Sequence, residues 1–349
     1  MMITKWCRIL KMENTNIKGF QNSNILIQAD AGPDIGVGHI MRMFALAQLI
    51  SKMGFSINFV SKIEDKQIID LIKKEGFTFH NLENLNAHGS ENNQNNFVDL
   101  CAFLKPKSVV IDGGFVEFKT EKILKQLDFK LIKIIDTPQQ HLIADLVINP
   151  NLGAEKFRYS LEPYVKTAFG LEYVILRNEF LNPEYSITKP RKSSKRILVS
   201  LGGSKLNTKR IYDEFKRFDT LKDSKLELEI IDGVKTFNLA SRMAHSDFAF
   251  ISGGSTMWEA LKMKLPFHVI TLNDLQKTYL ASIDEYKYWH GTTHYDAVDI
   301  ASIEKVIINY FTHPEIEDKL RKKFANLRIG ESVQELIYQF LINEKALYV

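Results

Sequence analysis

Short apolar runs alternate with helical patterns through most of this chain. Five runs in the first half predict strands, at residues 25–29, 57–60, 108–112, 131–136 and 146–148. Apolar spacing typical of helices occupies 40–52 and 66–75, and Gly54 and Gly76 follow these patterns as stop signals. Continuous apolar strands that alternate with helices are typical of a parallel sheet with both faces covered. The first half therefore predicts an α/β domain.

The same alternation begins again after residues 183–194, where two prolines, several charges and serines predict a linker. Strands are predicted at 196–201, 226–231, 248–252 and 267–271, with helices at 208–218 and 255–263 and a mostly helical stretch over 274–341. We predict an N-terminal extension over 1–24, a Rossmann-like domain over 25–180, a linker over 181–195 and a second Rossmann-like domain with a helical C-terminus over 196–349. Ligands of doubly wound domains bind beyond the carboxyl ends of the strands, so we expect the site in a cleft between the two domains.

Composition argues against several classes of function. The 349 residues carry 46 basic and 42 acidic side chains, and no dense arginine stripe is suited to a nucleic acid backbone. Cys7 and Cys101 lie far apart and outside any metal-ligand spacing, which fits a reducing, cytoplasmic compartment. No apolar run reaches the length of a membrane span, and residues 1–24 lack the apolar core of a secretory signal. We expect a cytoplasmic protein that neither binds nucleic acid nor inserts stably into a membrane. We interpret residues 1–24 as an extension, and the less favoured alternative is a short amphipathic segment that contacts a membrane or a partner.

The most informative stretch joins the first predicted strand to the first predicted helix. It reads Ala-Asp-Ala-Gly-Pro-Asp-Ile-Gly-Val-Gly-His-Ile-Met-Arg over residues 29–42, so that Gly36 and Gly38 lie in a turn and His39 and Arg42 open the helix. Glycines let backbone N–H groups approach a ligand closely, and a helix N-terminus favours negative charge. The ordinary pKa of histidine suits proton transfer near neutrality. The stretch predicts an anionic, phosphorylated ligand with acid–base chemistry beside it.

Two further glycine turns follow predicted strands in the second half. Gly202-Gly203-Ser204 can present backbone amides and a hydroxyl to a diphosphate, although paired glycines more often form a plain tight turn. The sequence Ser-Gly-Gly-Ser-Thr at 252–256 ends in hydroxyls that can cap a helix or bind phosphate oxygens. Glu259 follows one turn later, where its carboxylate could accept hydrogen bonds from a ribose diol or could simply complement the helix dipole. Neither motif decides between these alternatives alone.

In this order the three motifs resemble the GT-B architecture, and more closely the UDP-sugar hydrolases of pseudaminic acid biosynthesis. That family is similar in turn to the N-acetylglucosaminyltransferase of peptidoglycan synthesis and to spore-coat polysaccharide proteins. The resemblance spans about residues 25–294 and is most specific over 29–42. Further matches lie at 110–112, 135–137, 146–151 and 169–180, the last similar to the family's Gly-x-x-Tyr-x-x-Leu-Arg-x-Glu-Phe signature. The resemblance implies an α/β protein of GT-B type, with two doubly wound Rossmann-like domains facing a cleft.

The resemblance also implies a reaction, the inverting hydrolysis of a UDP-linked amino sugar at its anomeric carbon with release of UDP, in surface glycan biosynthesis. The family substrate is UDP-2,4-diacetamido-2,4,6-trideoxy-β-L-altropyranose. By this analogy His39 and Asp30 are catalytic, and His39 positions or deprotonates the attacking water. The residues expected to bind the UDP-sugar are Gly36, Gly38, Arg42, Asn149, Asn151, Gly202, Gly203, Ser204, Gly254, Ser255, Thr256, Glu259, Asn273 and Gln276. We expect no cofactor and no metal, because helix ends and hydroxyls can stabilise the departing diphosphate.

Departures from the family pattern cluster on the side of the sugar. The His-Tyr that usually follows the strand ending at residue 112 is replaced by Gly-Gly-Phe at 113–115, and the usual Asn-Gln pair is separated into Asn273 and Gln276. The arginine that commonly precedes the Asp30 position is Gln28. These changes predict a changed sugar, a changed acceptor or lost hydrolysis. Hydrolysis is the leading hypothesis, a GT-B glycosyltransferase of surface polysaccharide synthesis is the alternative, and a non-catalytic nucleotide-sugar-binding homologue is the third.

Overall fold

In a computed structural model the chain forms two β-sheets, and every strand pairing in both of them is parallel. The structure describes residues 23–32, 36–82, 93–138, 141–181, 194–202, 207–221, 225–231 and 238–342. Residues 1–22 of the expected extension and 182–193 of the expected linker lie outside this part of the chain. The α/β class with parallel sheets is confirmed.

The first sheet has seven strands in the order β3-β2-β1-β4-β5-β6-β7. Their bounds are β1 (Asn24–Ala29), β2 (Ser56–Ser61), β3 (Thr78–Asn81), β4 (Ser108–Asp112), β5 (Lys130–Ile134), β6 (Leu146–Asn149) and β7 (Lys166–Phe169). The order reverses at β1, which pairs with β2 on one side and with β4 on the other. A reversal of this kind opens a crevice at the carboxyl ends of the two flanking strands.

Helices cover both faces of this sheet: α1 (Gly38–Ser51), α2 (Lys66–Lys74), α3 (Asn93–Leu104) and α4 (Phe118–Gln126). Helix α1 buries Ile40, Met43 and Phe44 against one face, in the same core cluster as Ile25 and Ile27 of β1. Phe97 of α3 and Leu124 of α4 pack in the cluster that contains Leu26 and lies on the other face. The alternation of side chains along β1 thus supplies two cores, and this explains the continuous apolar run in the sequence.

The second sheet has five strands in the order β12-β11-β10-β8-β9. These strands are β8 (Lys195–Ser200), β9 (Leu226–Ile231), β10 (Phe248–Ser252), β11 (Phe267–Thr271) and β12 (Thr292–His294). Its order reverses between β8 and β10, so Gly202 after β8 and the Gly253-Gly254 turn after β10 lie at the second crevice. The helices are α5 (Thr208–Leu221), α6 (Leu239–Ala244), α7 (Thr256–Lys262), α8 (Asp274–Ser282), α9 (Ile300–Thr312), α10 (Pro314–Phe324) and α11 (Val333–Leu341).

The last helix leaves the second half and packs on the first. Val333, Ile337, Phe340 and Leu341 of α11 belong to the core cluster of β1 and α1. The crossing is held by hydrogen bonds from the backbone N–H of Gly330 to the carbonyl of Leu171 (3.0 Å) and from that of Ser332 to Glu172 (3.0 Å). The predicted second domain, residues 196–349, includes this helix. An amphipathic pattern indicates that a helix packs on a core, but it does not indicate which core.

Candidate functional site

The side chain of His39 meets that of Asp112 at the crevice of the first sheet. The register of β1 and β4 places Ala29 opposite Asp112, and α1 begins at Gly38 after the turn that follows β1. Nδ1 of His39 lies 2.8 Å from Oδ1 of Asp112. A carboxylate can only accept a hydrogen bond, so the proton of the imidazole lies on Nδ1. Nε2 has no hydrogen-bond partner within the described residues, and this leaves it as an acceptor when the ring is neutral.

The turn before His39 is closed by backbone hydrogen bonds. The N–H of Gly36 donates to the carbonyl of Gly32 at 2.7 Å, and the reverse bond is 3.2 Å long. Gly36 has φ of +77°, a conformation that favours glycine. A Cβ at Gly38 would meet no atom of the described residues within 4 Å. The N-cap of α1 makes no side-chain capping hydrogen bond, and uncapped N–H groups at a helix N-terminus can bind an anion.

Arg42 lies one turn further along α1 and bridges two carboxylates. Its Nε and Nη2 donate to Oδ2 and Oδ1 of Asp112 at 2.8 and 2.7 Å, and its Nη1 donates to Oδ1 of Asp136 at 2.7 Å. Asp112 is fully buried, whereas about half of the Asp136 side chain is exposed. The paired hydrogen bonds to Asp112 fix the guanidinium, and with it the carboxylate that orients His39.

These contacts set the charges of the site. The hydrogen bond to Asp112 raises the pKa of His39 above its ordinary value and outweighs the opposing effect of burial. Desolvation opposes ionisation of Asp136, but the neighbouring Arg42 guanidinium holds the pKa of that carboxyl well below its usual range. The site therefore carries ionised Asp136 and Arg42 beside an imidazole that is more basic than usual.

Asn149 and Asn151 surround Asp136 but make different contacts. Nδ2 of Asn151 donates to Oδ1 of Asp136 at 3.0 Å. Asn149 is fully buried, and its Nδ2 donates to the backbone carbonyl of Asp136 and to the Tyr159 hydroxyl, both at 3.1 Å. Asn149 thus holds the backbone of the loop after β5, whereas Asn151 contacts the exposed carboxylate of Asp136.

Asp30 lies beside this network, at the end of β1. Its Oδ1 accepts a hydrogen bond from the backbone N–H of Lys62 at 2.9 Å. Burial raises the pKa of Asp30, against smaller lowering effects that include this hydrogen bond and the charge of His39. Its catalytic role stays a prediction.

The glycine turns of the second half are described in part. Gly203 and Ser204 lie outside the described residues. Gly202 has φ of +78°, and a Cβ there would lie 3.6 Å from Oγ of Ser252, so the ends of β8 and β10 approach each other closely. Ser255 precedes α7 and Thr256 is its first residue, and the Ser255 side chain makes no capping hydrogen bond. A Cβ at Gly254 would meet nothing within 4 Å.

Glu259 of α7 is engaged by an arginine from the first half of the chain. Nε and Nη2 of Arg177 both donate to Oε1 of Glu259, at 3.2 and 3.0 Å. Burial raises the pKa of Glu259, and the charge of Arg177 opposes that rise. The ion pair links Arg177 of the first half to α7 of the second.

Asn273 and Gln276 act together as the cap of α8. Oδ1 of Asn273 accepts from the backbone N–H of Gln276 at 2.9 Å, and Oε1 of Gln276 accepts from the N–H of Leu272 at 2.8 Å. In the family the Asn and Gln are adjacent, whereas here two residues lie between Asn273 and Gln276. This spacing allows the two side chains to cap α8 together. The Gln276 side chain also approaches the turn after β10, since a Cβ on Gly253 would lie 3.4 Å from its Oε1.

The Gly-Gly-Phe stretch after β4 leaves open space next to Asp112. Gly113 has φ of +102°, and a Cβ at Gly113 or Gly114 would meet no atom within 4 Å. The Phe115 ring does not replace the missing groups, because it packs edge-on against Phe97 with ring centroids 6.2 Å apart. The hydroxyl and imidazole of the family pattern have no substitute at this turn.

Tyr279 of α8 reaches across to the first half. Its hydroxyl donates to the backbone carbonyl of Leu152, just beyond β6, at 3.1 Å. Burial and the negative charge of Asp136 both raise the pKa of Tyr279. The carboxyl edges of the two sheets therefore face each other, and the Tyr279 hydroxyl lies near enough to Asp136 to be affected by its charge.

Three residues that contribute most to this geometry were not predicted as site residues: Asp112, Asp136 and Arg177. All three lie in segments that carry the family resemblance, and Arg177 belongs to the signature over 169–180, but the resemblance did not assign any of the three to the site. The usable signal was that acidic residues end two adjacent predicted strands, at 112 and 136. Parallel strands bring such ends to one edge of the sheet.

The described residues contain neither a metal cluster nor a membrane-spanning helix. No group of three or more His, Cys, Asp or Glu side chains there is placed to hold a metal ion. Among the helices of the described segments, none is both long and apolar enough to cross a bilayer.

Comparison with known proteins defines the fold. Acinetobacter baumannii MurG superposes with a TM-score of 0.63 and 11% identity over 92% of this chain and 99% of that protein. CalG4, the calicheamicin glycosyltransferase, gives a TM-score of 0.60 with 12% identity over 93% of this chain and 99% of its own. The spinosyn rhamnosyltransferase SpnG complexed with thymidine diphosphate gives 0.61 with 12% identity, over 90% of this chain and 99% of that one. The chain has the GT-B fold, as predicted.

Sequence comparison is less informative than structure. No family model matches the chain. An uncharacterized protein of Methanocaldococcus jannaschii is 29% identical over 285 residues, which are 72% of this chain. The match spans 56% of that relative, so the chain corresponds to little more than half of its length.

Proposed function

We propose that this chain is an enzyme that acts on a nucleotide-linked sugar, with His39 as its base. The observation that carries the proposal is the contact between His39 and Asp112 at the crevice of a GT-B fold. A carboxylate that holds the Nδ1 proton of a histidine directs Nε2 toward the reactant and stabilises the imidazolium that forms. The second crevice supplies the glycine turns and hydroxyls suited to a diphosphate.

The chemistry follows from this arrangement. Nε2 of neutral His39 accepts a proton from a hydroxyl, and the oxygen of that hydroxyl attacks the anomeric carbon. The bond between that carbon and the diphosphate oxygen breaks, and its electron pair leaves with the nucleotide. Charge developing on the diphosphate is stabilised by backbone N–H groups at the turns near Gly202 and Gly254. Attack from the side opposite the leaving group inverts the anomeric carbon.

In the leading version of this proposal the attacking hydroxyl belongs to water, and the enzyme is a hydrolase of a UDP-linked amino sugar. Its support is the sequence resemblance over residues 25–294, above all the turn that ends in His39. The base and its carboxylate are present. The open space at Gly113 and Gly114 means that this site lacks two polar groups of the family, so we expect slow turnover on the family substrate.

A glycosyltransferase is the second candidate, in which a sugar hydroxyl replaces water. Two observations favour it. Proteins of the same fold include one named as a calicheamicin glycosyltransferase and one named as a spinosyn rhamnosyltransferase. A Cβ at Gly113 or Gly114 would also meet no atom of the described residues within 4 Å, so this turn beside Asp112 is less filled than the family's His-Tyr would make it. A non-catalytic binder is disfavoured because a purely binding site has no use for an oriented imidazole.

The test is incubation of the purified protein with a panel of UDP-sugars, with and without candidate acceptor sugars, and measurement of released UDP. Acceptor-independent release that His39→Ala abolishes supports the hydrolase. Release that requires an acceptor supports the transferase. If the protein binds UDP but releases none from any UDP-sugar, with or without an acceptor, it is a non-catalytic nucleotide-sugar-binding protein and the proposed catalysis is wrong.

A further inference from the structure

Arg177 lies where the chain passes from the first half to the second, and it contacts two carboxylates. Besides its two hydrogen bonds to Oε1 of Glu259, its Nη1 lies 2.7 Å from Oε1 of Glu179. The second oxygen of Glu179 accepts from the backbone N–H of Ala240 at 3.2 Å, in the first turn of α6. The guanidinium carbon also lies 5.0 Å from the centre of the Phe180 ring. The side chain is thus held on several sides, and 15% of it is exposed.

The contacts leave the two oxygens of Glu259 in different states. Oε1 accepts from two N–H groups of Arg177, which occupy both of its lone pairs. Oε2 has no hydrogen-bond partner among the described residues, and it is not among their fully buried unpaired atoms. The Glu259 side chain keeps 11% of its surface exposed. The two contacts at Oε1 therefore fix the orientation of the carboxylate and leave Oε2 available to an incoming donor.

We propose that Arg177 is a positioning residue for nucleotide recognition: it holds Glu259 so that Oε2 accepts hydrogen bonds from the ribose hydroxyls, and it thereby gives the site a preference for ribonucleotides over 2′-deoxyribonucleotides. The inference rests on the proposed function and takes the ribose-binding alternative for Glu259 that the sequence left open. It adds that ribose binding depends on Arg177 and that the site therefore discriminates ribonucleotides from 2′-deoxyribonucleotides.

The physical reason is the cost of burying a carboxylate. An isolated buried carboxylate becomes protonated, whereas one paired with a fixed cation stays ionised. Hydrogen bonds to an ionised acceptor are stronger than those to a neutral one. Lysine would supply the charge but not the planar fork that contacts Glu259 and Glu179 together. Arg177→Lys should therefore restore part of the function that Arg177→Met removes.

The experiment measures binding of UDP and of 2′-deoxy-UDP to the full-length protein by calorimetry. We expect the wild type to prefer UDP by about tenfold, the effect of one hydrogen bond to a charged group. Arg177→Met should reduce that preference to less than about threefold, and Arg177→Lys should give an intermediate value. Arg196→Met is the matched control, because Arg196 forms an ion pair with Glu227 at the start of β8, and its preference should equal that of the wild type.

A double-variant cycle separates positioning from a direct contact with the nucleotide. If Arg177 acts through Glu259, then Arg177→Met changes UDP affinity less than about twofold once Glu259→Gln is present. Should the two losses multiply instead, Arg177 binds the nucleotide independently and the inference is wrong. The double variant also removes the buried charge of Glu259, so its comparison with Glu259→Gln answers the question even where Arg177→Met alone does not fold.

The pH dependence of binding provides a readout that general loss of structure would not produce. Arg177 and Glu179 are the charged groups that face Glu259. Without Arg177, burial and Glu179 both favour protonation of Glu259. The ratio of wild-type to Arg177→Met affinity for UDP should therefore be larger at pH 6 than at pH 8. A wild type that binds UDP with the ribose preference, together with an Arg177→Met variant that keeps it, would overturn this inference alone. A wild type that binds no UDP would overturn the proposed function as well.

Discussion

Nδ1 of His39 lies 2.8 Å from Oδ1 of Asp112, although 73 positions separate the two residues in the sequence. The contact depends on the parallel register that pairs Ala29 with Asp112. It also depends on α1, which lies over the face of the sheet from which Asp112 projects. A shift of one residue in that register would turn the carboxylate to the opposite face of the sheet. The orientation of the proposed base therefore depends on strand pairing as well as on the glycine turn.

Replacing His39 tests the proposed base directly. We expect His39→Asn or His39→Ala to lower turnover by about 10²–10⁴-fold, the usual contribution of a positioned base. Affinity for UDP should change little, because we propose that the nucleotide binds to the second half. Steady-state rates and calorimetry check both expectations. His313→Asn is a suitable control, since His313 is exposed and precedes α10 on the second half. Full turnover in His39→Ala would make His39 a structural residue.

Replacing Asp112 tests the orientation of that base. Asp112→Asn keeps the size of the side chain but removes the charge that holds the Nδ1 proton, so we expect turnover to fall by about 10²-fold or more. Since the hydrogen bond to Asp112 raises the pKa of His39, the base is neutral only toward higher pH in the wild type. The kcat/KM of the wild type should therefore decline as pH falls through this raised pKa. In Asp112→Asn the decline should shift to lower pH, and an unshifted profile would contradict the assignment.

The same pair predicts how stability varies with pH. The folded-state pKa of His39 is raised, so the pair stabilises the fold fully below the ordinary imidazole value of about 6.5. The contribution is lost as pH rises through the folded-state pKa. We expect the difference in melting temperature between wild type and His39→Asn to be larger at pH 5.5 than at pH 9. A difference that grows with pH would have the wrong sign for this linkage.

Much of the fold could be predicted from local patterns, because apolar runs and glycine stops mark single elements. Residues 25–29 and 66–75 differ by one position from β1 and α2 as observed. The strands β3, β7 and β12 were missed, since they are short and only partly apolar. Among site residues, His39 was predicted from its turn, whereas Asp112 and Arg177 were not. Their partners come from distant segments, and only the sheet register and the crossing between halves bring them together.

Replacing Glu259 tests the nucleotide side. We expect Glu259→Ala to weaken UDP binding by roughly 1–3 kcal/mol, the scale of hydrogen bonds to a charged group. The substitution also leaves Arg177 without this partner, but the ion pair between Arg177 and Glu179 is retained, which limits the structural cost. Calorimetry gives the affinity, and thermal unfolding of the same samples shows whether the fold is kept. Equal affinity in a folded variant would place the nucleotide elsewhere.

The turn after β4 tests whether the departures from the family pattern limit hydrolysis. We expect wild-type protein to bind UDP normally but to cleave UDP-2,4-diacetamido-2,4,6-trideoxy-β-L-altropyranose slowly or not at all, unless Tyr279, Asn149 or another nearby group compensates. The substitutions Gly114→His and Phe115→Tyr restore the two missing side chains. A Cβ at Gly114 meets no atom of the described residues within 4 Å, so the substitution causes no clash at that atom. The introduced phenol ring would keep the packing that Phe115 makes against Phe97.

If the site lacks only these groups, the double variant should hydrolyse this substrate about tenfold faster or more, since an added acid–base group contributes on that scale or above. Gly114→Ala is the matched control, because it removes the same backbone freedom and adds no imidazole, and its rate should equal that of the wild type. Released UDP measures all three proteins. Because the Phe115 ring packs with Phe97 and not with His39, most of the gain should come from Gly114→His alone. Wild-type turnover of about 1–10³ s⁻¹, the ordinary range for enzymes, would instead show that the glycines do not impair the reaction and that the site hydrolyses the family substrate as it stands.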